Sequence, residues 1–207
     1  MYRSQLKLDL LHPSVHQALK DCNDMHRNLM RAFDVPDGSE TRKELSLLYT
    51  VLTIGGFPAV YVISSLKPDW SRVPGFYPVE GGEPTDISAL KNVFTEGSVF
   101  SFRLFASPTK KVAREGKLSG RVFLRSADER DQWLQRQAEK YGFSLNGFYE
   151  EEQTEVIGHK GKDVIRYTGV VFTGSLTVAS PELFWKAYCS GIGPGKAYGL
   201  GMLMLKR

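Results

Sequence analysis

Cysteine is scarce in this chain. Cys22 and Cys189 are the only two in 207 residues, which excludes a disulfide framework. With no signal peptide at Met1-Tyr2-Arg3-Ser4, a reducing cytoplasm is the expected setting. Histidine is also sparse. His12, His16, His26 and His159 include no pair with the spacing and supporting carboxylates of a zinc site, so neither metal nor cofactor is expected. There is no Gly-x-Ser-x-Gly elbow, neither cysteine has a base near it in sequence, and no glycine triplet fits the dinucleotide fingerprint. One stretch lacks charge altogether. Leu45 to Leu66 runs 22 residues without Asp, Glu, Lys or Arg, long enough to span a bilayer as a helix. Its centre reads Gly55-Gly56-Phe57-Pro58 between runs rich in Val, Ile, Thr and Tyr. That pattern predicts strand, tight turn, strand, so no membrane partner is expected.

What is present suits a packed protein. The composition is 42% hydrophobic, 24% charged and 12% aromatic, and the length fits one large or two small domains. Charge is unevenly placed: residues 1–100 carry a net −2 and residues 101–207 a net +6. A basic back half points to an anionic partner, with nucleic acid first among the candidates.

Hydrophobic patterning gives the order of elements. Gln5–Leu10 is expected to be a strand, and Pro13 suits the first turn of a helix. Val15, Ala18, Leu19, Cys22, Met25, Leu29, Met30 and Phe33 recur at spacings of three and four, which predicts a single amphipathic helix. Val35-Pro36-Asp37-Gly38 should stop it, and the Leu45–Leu66 hairpin follows. Residues 73–84, rich in Pro and Gly, read as a linker or ordered loop, and Ile87–Val93 as a short closing helix. The second half repeats this order. Strands are expected at Val99–Phe105, near Glu155, at Ile165–Val178 and at Leu200–Lys206, with helices at Ser126–Tyr141 and Pro181–Cys189. The fold class is therefore α+β: two tandem ferredoxin-like (RRM-like, βαββαβ) domains with antiparallel sheets, over 1–93 and 94–207. Such a sheet leaves one face free for a ligand, as in several RNA-binding modules.

Three features carry candidate chemistry. The first is the run Gly191-Ile192-Gly193-Pro194-Gly195-Lys196-Ala197-Tyr198-Gly199-Leu200-Gly201. Its glycines could bring backbone N–H groups, with Lys196, against a phosphate; a tight turn with no ligand is the plainer reading. It is not a phosphate loop, because Ala197 stands where Ser or Thr is required. The second is Arg103–Arg125, where Arg103, Lys110, Lys111, Arg114, Lys117, Arg121 and Arg125 face a lone Glu115. That suits a polyanion, or simply a solvated charged loop. Lys160, Lys162 and Arg166, flanking an expected hairpin turn, form a smaller basic group. Third, His26 falls inside the apolar stripe between Cys22 and Met30, a position where a histidine is more often part of the core. His159 is expected in a turn.

Met25-His26-Arg27, Ser101-Phe102-Arg103-Leu104-Phe105-Ala106-Ser107-Pro108, the Trp133-Leu134 helix and the Gly191–Gly201 run, in that order, resemble the CasE-type CRISPR endoribonuclease family. The resemblance covers nearly the whole chain. It implies two tandem ferredoxin-like domains, and a catalytic His26 facing the cleft between them. It also implies metal-independent cleavage of CRISPR precursor RNA at repeat hairpins, leaving 2′,3′-cyclic or 3′-phosphate and 5′-hydroxyl ends. The cut hairpin, as crRNA, would stay bound within the Cascade complex. Relatives carry a tyrosine three residues before the histidine; here Asn23 stands there, so Asn23, Arg27 and Lys196 are the candidate helpers. The implied RNA contacts are Arg103, Lys110, Lys111, Arg114, Lys117, Lys160, Lys162, Arg166, Gly193, Gly195 and Lys196. A non-catalytic subunit that only binds the crRNA hairpin is the alternative.

Overall fold

A computed structural model describes residues 1–34, 45–114 and 117–206, with side chains of 113–119 left aside. The expected Val35–Gly38 turn, and the side chains of Arg114 and Lys117, lie outside that set. The chain forms two compact units, and neither is a single continuous segment. Unit 1 comprises Met1–Val93, Val156–Arg166 and Lys196–Gly199; unit 2 comprises Phe94–Glu155, Tyr167–Gly195 and Leu200–Arg207.

Unit 1 is built on the strands β1 (Tyr2–Leu8), β2 (Leu48–Ile54), β3 (Phe57–Ser64) and β4 (Phe76–Pro78), in the order β2-β3-β1-β4, with β5 (Thr85–Asp86) added along β1. The charge-free stretch is the β2–β3 hairpin. Gly55 and Gly56 both have positive φ (57° and 84°), the backbone a two-residue turn needs to match strand twist. Among the described residues no helix is long and apolar enough to cross a membrane.

The expected single helix after Pro13 is two helices, α1 (Pro13–Lys20) and α2 (Cys22–Met30). The break is at Asp21, which is extended (φ −135°, ψ 114°) and turns its carboxylate onto the N–H groups of Asn23 and Asp24. An aspartate offering that cap competes with continued helix, and here the cap wins. The split also rotates the buried face. Met25, Asn28 and Leu29 are buried, whereas Cys22, His26 and Met30 are only partly so. Residues 73–84 are ordered structure rather than a connector, since Phe76–Pro78 pairs with β1. Where the ferredoxin pattern calls for a second helix, unit 1 has one 3-10 turn, Trp70–Arg72. Trp70 in that turn is buried, meets Phe33 edge-on and donates to Ser4 Oγ at 3.0 Å. The expected closing helix at Ile87–Val93 is a 3-10 segment, Ser88–Val93.

Unit 2 contains β6 (Val99–Ala106), β7 (Thr109–Arg114), β8 (Lys117–Phe123), α3 (Ala127–Lys140), β9 (Phe143–Lys160), β10 (Asp163–Val178), α4 (Pro181–Ser190) and β11 (Leu203–Lys206). Its main sheet has the order β11-β6-β10-β9, the ferredoxin-like arrangement, and its β6 pairings are antiparallel. The two strands β9 and β10 extend beyond this sheet, and their tip, Val156–Arg166, clusters with unit 1. On β6, Phe100, Phe102, Leu104 and Ala106 are buried in strict alternation. Phe184 of α4 lies 6.3 Å from Phe100, and Trp133 of α3 lies 6.3 Å from Phe172 of β10. Both helices therefore cover one face of the sheet.

The opposite face is polar. On β6 and β10 it presents Ser101, Arg103, Thr173, Ser175 and Thr177, whose partners include Glu151 and Asn146 of β9. Those polar groups are tied to one another, and the exposed ring of Tyr149 lies on the same side of β9 as Glu151. The basic segment is also no loop: β7 and β8 pair as a separate antiparallel hairpin, with Lys111 opposite Arg121.

Candidate active site and basic surfaces

Within unit 1, α2 is held at its N-terminus by an unusually complete set of contacts. Asp21 Oδ1 accepts from the backbone N–H groups of Asn23 (2.8 Å) and Asp24 (3.2 Å). Asp21 Oδ2 meets the N–H (2.9 Å) and ring Nδ1 (2.8 Å) of His159. Asn23 Nδ2 in turn donates to the His159 carbonyl at 2.9 Å. Burial alone would push the Asp21 carboxyl up, but the hydrogen bonds from His159, Asp24 and Asn23 outweigh it and hold it below 3.8. His159 is thus in β9, not in a turn. The helix end can come this close because residue 158 is glycine: a Cβ there would lie 2.7 Å from Cys22 Sγ and 2.9 Å from the Asn23 N–H nitrogen.

Asn23 is therefore a structural tie, with its amide committed to the strand. Arg27 is largely exposed and pairs with Asp24 at 3.4 Å. His26 is half-buried on the flank of α2. Its ring meets Tyr198 edge-on, with centroids 6.3 Å apart and an interplanar angle of 67°. Tyr198 ends the 3-10 turn Lys196–Tyr198, so Lys196 also belongs to unit 1. Tyr49 of β2 stands beneath both elements. It is fully buried, donates to the Cys22 carbonyl at 3.2 Å, and lies against Gly199, where a Cβ would come within 3.2 Å of its ring. Burial pushes the Tyr49 phenol well above 10, and burial pushes the Cys22 and Cys189 thiols up to about 11. All three stay protonated near neutral pH, which removes both cysteines as nucleophiles.

The glycine run has a packing reason at most of its positions. Gly191, Gly193, Gly195, Gly199 and Gly201 all have positive φ. A Cβ would lie 3.1 Å from Trp133 at Gly193, 2.6 Å from Leu200 at Gly195 and 2.6 Å from the Ile192 carbonyl at Gly201. The N–H groups of Gly191, Ile192 and Gly201 are used within the backbone, on Ala187, Gly201 and Phe105. The run is a folded turn, with those three N–H groups spent within the backbone. Gly193 and Gly195 fall in unit 2, apart from Lys196.

Several of the expected basic residues are paired with carboxylates. Arg103 pairs with Glu151 at 3.2 Å and Lys110 with Glu129 at 2.8 Å. Arg130, which sequence patterning did not single out, is buried and grips Glu150 through two bonds of 2.6 and 2.7 Å, while Nη1 donates to the Leu124 and Arg125 carbonyls. Lys111 and Arg121 are exposed, and no ion pair with a carboxylate engages either among the described residues. They line a concavity of about 290 Å³ in unit 2 together with Lys140, Trp133 and Gly193. Like charges directly across a hairpin repel. Lys160, Lys162 and Arg166 are exposed at the β9–β10 tip. That tip belongs to unit 1, which corrects their expected place in the second domain.

Two antiparallel sheets of ferredoxin-like strand order, one carrying a histidine beside a glycine-flanked turn, define a tandem ferredoxin-like protein with a candidate proton-transfer site. The whole chain, residues 1–207, matches the model of a family described as CRISPR associated protein. It is 31% identical to the CRISPR-associated endoribonuclease Cse3 of Thermus thermophilus, over 98% of each chain. The chain belongs to this CRISPR-associated family, as the sequence resemblance implied. Among solved structures it is similar to Cse3 bound to a 19-nucleotide RNA, with a TM-score of 0.83, 28% identity and full coverage of both chains. A Thermus thermophilus Cse3 bound to RNA representing a pre-cleavage complex gives 0.82 at 27% identity, covering 100% of this chain and 98% of that one.

Proposed function

We propose that this protein is a metal-independent, site-specific endoribonuclease that cuts CRISPR precursor RNA at repeat hairpins. It then retains the crRNA hairpin as a cytoplasmic Cascade subunit. The observation that carries the reading is His26, half-buried on a helix clamped at its N-terminus and set against the Lys196–Tyr198 turn. The named endoribonuclease relative and the RNA-bound structures support it. In this reaction the RNA's own 2′-hydroxyl attacks the adjacent phosphorus. The P–O5′ bond breaks, giving a 5′-hydroxyl and a 2′,3′-cyclic phosphate, which a later attack by water opens to a 3′-phosphate. An imidazole, with an ordinary pKa of about 6.5, transfers protons efficiently at neutral pH. Lys196 supplies positive charge for the phosphorane, where preorganised charge is worth most. Lys111, Arg121 and the Lys160–Arg166 tip supply the hold on the RNA, through phosphates that carry no base information.

The test is end-labelled repeat RNA incubated in EDTA with the unchanged protein and with His26→Ala. Cutting by the first and a loss of at least about 100-fold in the second is expected. A requirement for magnesium, or full activity in the variant, overturns the mechanism. Tight binding without cutting by either protein makes this a non-catalytic crRNA-hairpin-binding subunit.

A further inference from the structure

Transfer from the 2′-oxygen to the 5′-oxygen needs two proton movements, one off the nucleophile and one onto the leaving group. His26 can perform one. The geometry points to Tyr198 as the group that performs the other: we propose that its phenol is the general acid that protonates the departing 5′-oxygen, with His26 as the base. This rests on the nuclease reading above and names a second catalytic residue for it.

Three observations carry the assignment. First, Tyr198 is the ring that meets His26, at 6.3 Å and 67°. Rings at that separation can each reach one of two oxygens on opposite sides of a single phosphorus. Second, the pair is held by a shared support. Tyr49 hydrogen-bonds the Cys22 carbonyl in the first turn of α2, and its ring abuts Gly199 immediately after Tyr198. The helix bearing the base and the turn bearing the acid therefore rest on the same buried side chain, the kind of fixed geometry proton transfer demands. Third, the other residues near His26 in sequence are engaged elsewhere or chemically unsuited. Asn23 carries no transferable proton and donates to the strand, and Arg27 stays charged and faces Asp24.

The step balances without any further reactant. His26 takes the 2′-hydroxyl proton as the oxygen's electron pair forms the new P–O2′ bond. The P–O5′ bond breaks toward O5′, which takes the Tyr198 proton. Imidazolium and phenolate are then reset by net transfer of one proton from the first to the second through water.

The experiment compares two RNAs under single-turnover conditions: the repeat hairpin, and the same RNA with sulfur replacing the 5′-bridging oxygen at the cut. A thiolate leaves without needing an acid. Tyr198→Phe keeps the ring, and should slow the oxygen RNA by about 100-fold or more while cutting the sulfur RNA within a few-fold of the unchanged protein. His26→Ala should be slow on both. Unaltered cleavage of the oxygen RNA by Tyr198→Phe, or equal slowing on the two RNAs, overturns the assignment and leaves Tyr198 as packing for His26. If the unchanged protein cuts neither RNA, the nuclease reading itself fails, an outcome distinct from failure of Tyr198 alone.

Discussion

Replacing Asp21 tests the clamp on α2 most directly, because two substitutions separate its parts. Alanine removes everything: the cap on Asn23 and Asp24 and both bonds to His159. A lost N-cap costs about 1 kcal/mol, and a hydrogen bond to a charged group about 1.5–3. Since the His159 ring is largely exposed while Asp21 is mostly covered, the lower end applies, and Asp21→Ala should cost about 2–4 kcal/mol. For a chain of this length each kcal/mol lowers Tm by about 2–4 °C, so a fall of about 5–15 °C is expected in scanning calorimetry at pH 7. Asp21→Asn keeps the cap on Asn23 and Asp24 but sets an amide donor where Oδ2 accepts from the His159 N–H, and should fall by an intermediate amount. The effect depends on pH in a defined direction. The folded carboxyl is held below 3.8, so its contribution is complete above about pH 4 and disappears as the pH drops through the folded value. The gap between the native protein and Asp21→Asn should therefore close in acid. An alanine variant melting within about 1 °C of the native protein, or an asparagine variant as unstable as alanine, refutes this account.

Glu150→Ala should be among the most destabilising single changes in unit 2, by about 3–5 kcal/mol, since it strands the buried Arg130 guanidinium; urea titration measures it. A double change of both residues to apolar groups of similar size should recover most of that loss. Lys111→Ala and Arg121→Ala should each weaken RNA binding and lower the slope of log affinity against log salt by about 1, because neither is spent on a carboxylate within the described structure. Arg103→Ala, already paired with Glu151, should change that slope least; filter binding across a salt series distinguishes the three.

Local signals were legible where a single residue type decides the backbone. Gly55-Gly56 marked its turn, Pro13 and Pro181 stand at the starts of their helices, and Ser126 caps α3 through the Glu129 N–H. The strand order of a ferredoxin-like fold was readable from the sequence of elements alone. The misreadings share a cause. Apolar periodicity runs smoothly across Asp21, so it predicted one helix. The signal that divides it was the cluster of short polar side chains Asp21, Asn23 and Asp24, which compete for backbone N–H groups. Periodicity likewise put His26 inside the stripe, and the break is what moves it to the flank. Periodicity also gave no hint of Trp70, whose buried ring packs on Phe33 beside the 3-10 turn it begins. The site itself was half legible. His26 was named through resemblance and Lys196 through its glycine-rich surroundings, but the His26–Tyr198, Tyr49–Cys22 and Asp21–His159 contacts join residues far apart in the chain, and spacing has no means of showing such meetings. Counting cations likewise could not tell Lys111 from Lys110, adjacent residues of which one is held by Glu129.

The discontinuous makeup of unit 1 has a consequence for when the protein becomes competent. Most of the chain's length separates His26 from Tyr198, and the His159 strand that clamps its helix also comes late. At roughly 5–20 residues per second, a ribosome needs on the order of ten seconds or more to travel from one to the other. During that interval the emerging polypeptide holds a histidine with nothing set opposite it. Sheet strands and helices can form as they appear, but the His26–Tyr198 contact cannot. A nascent copy therefore lacks the Tyr198 turn beside His26 until the ribosome has passed Tyr198.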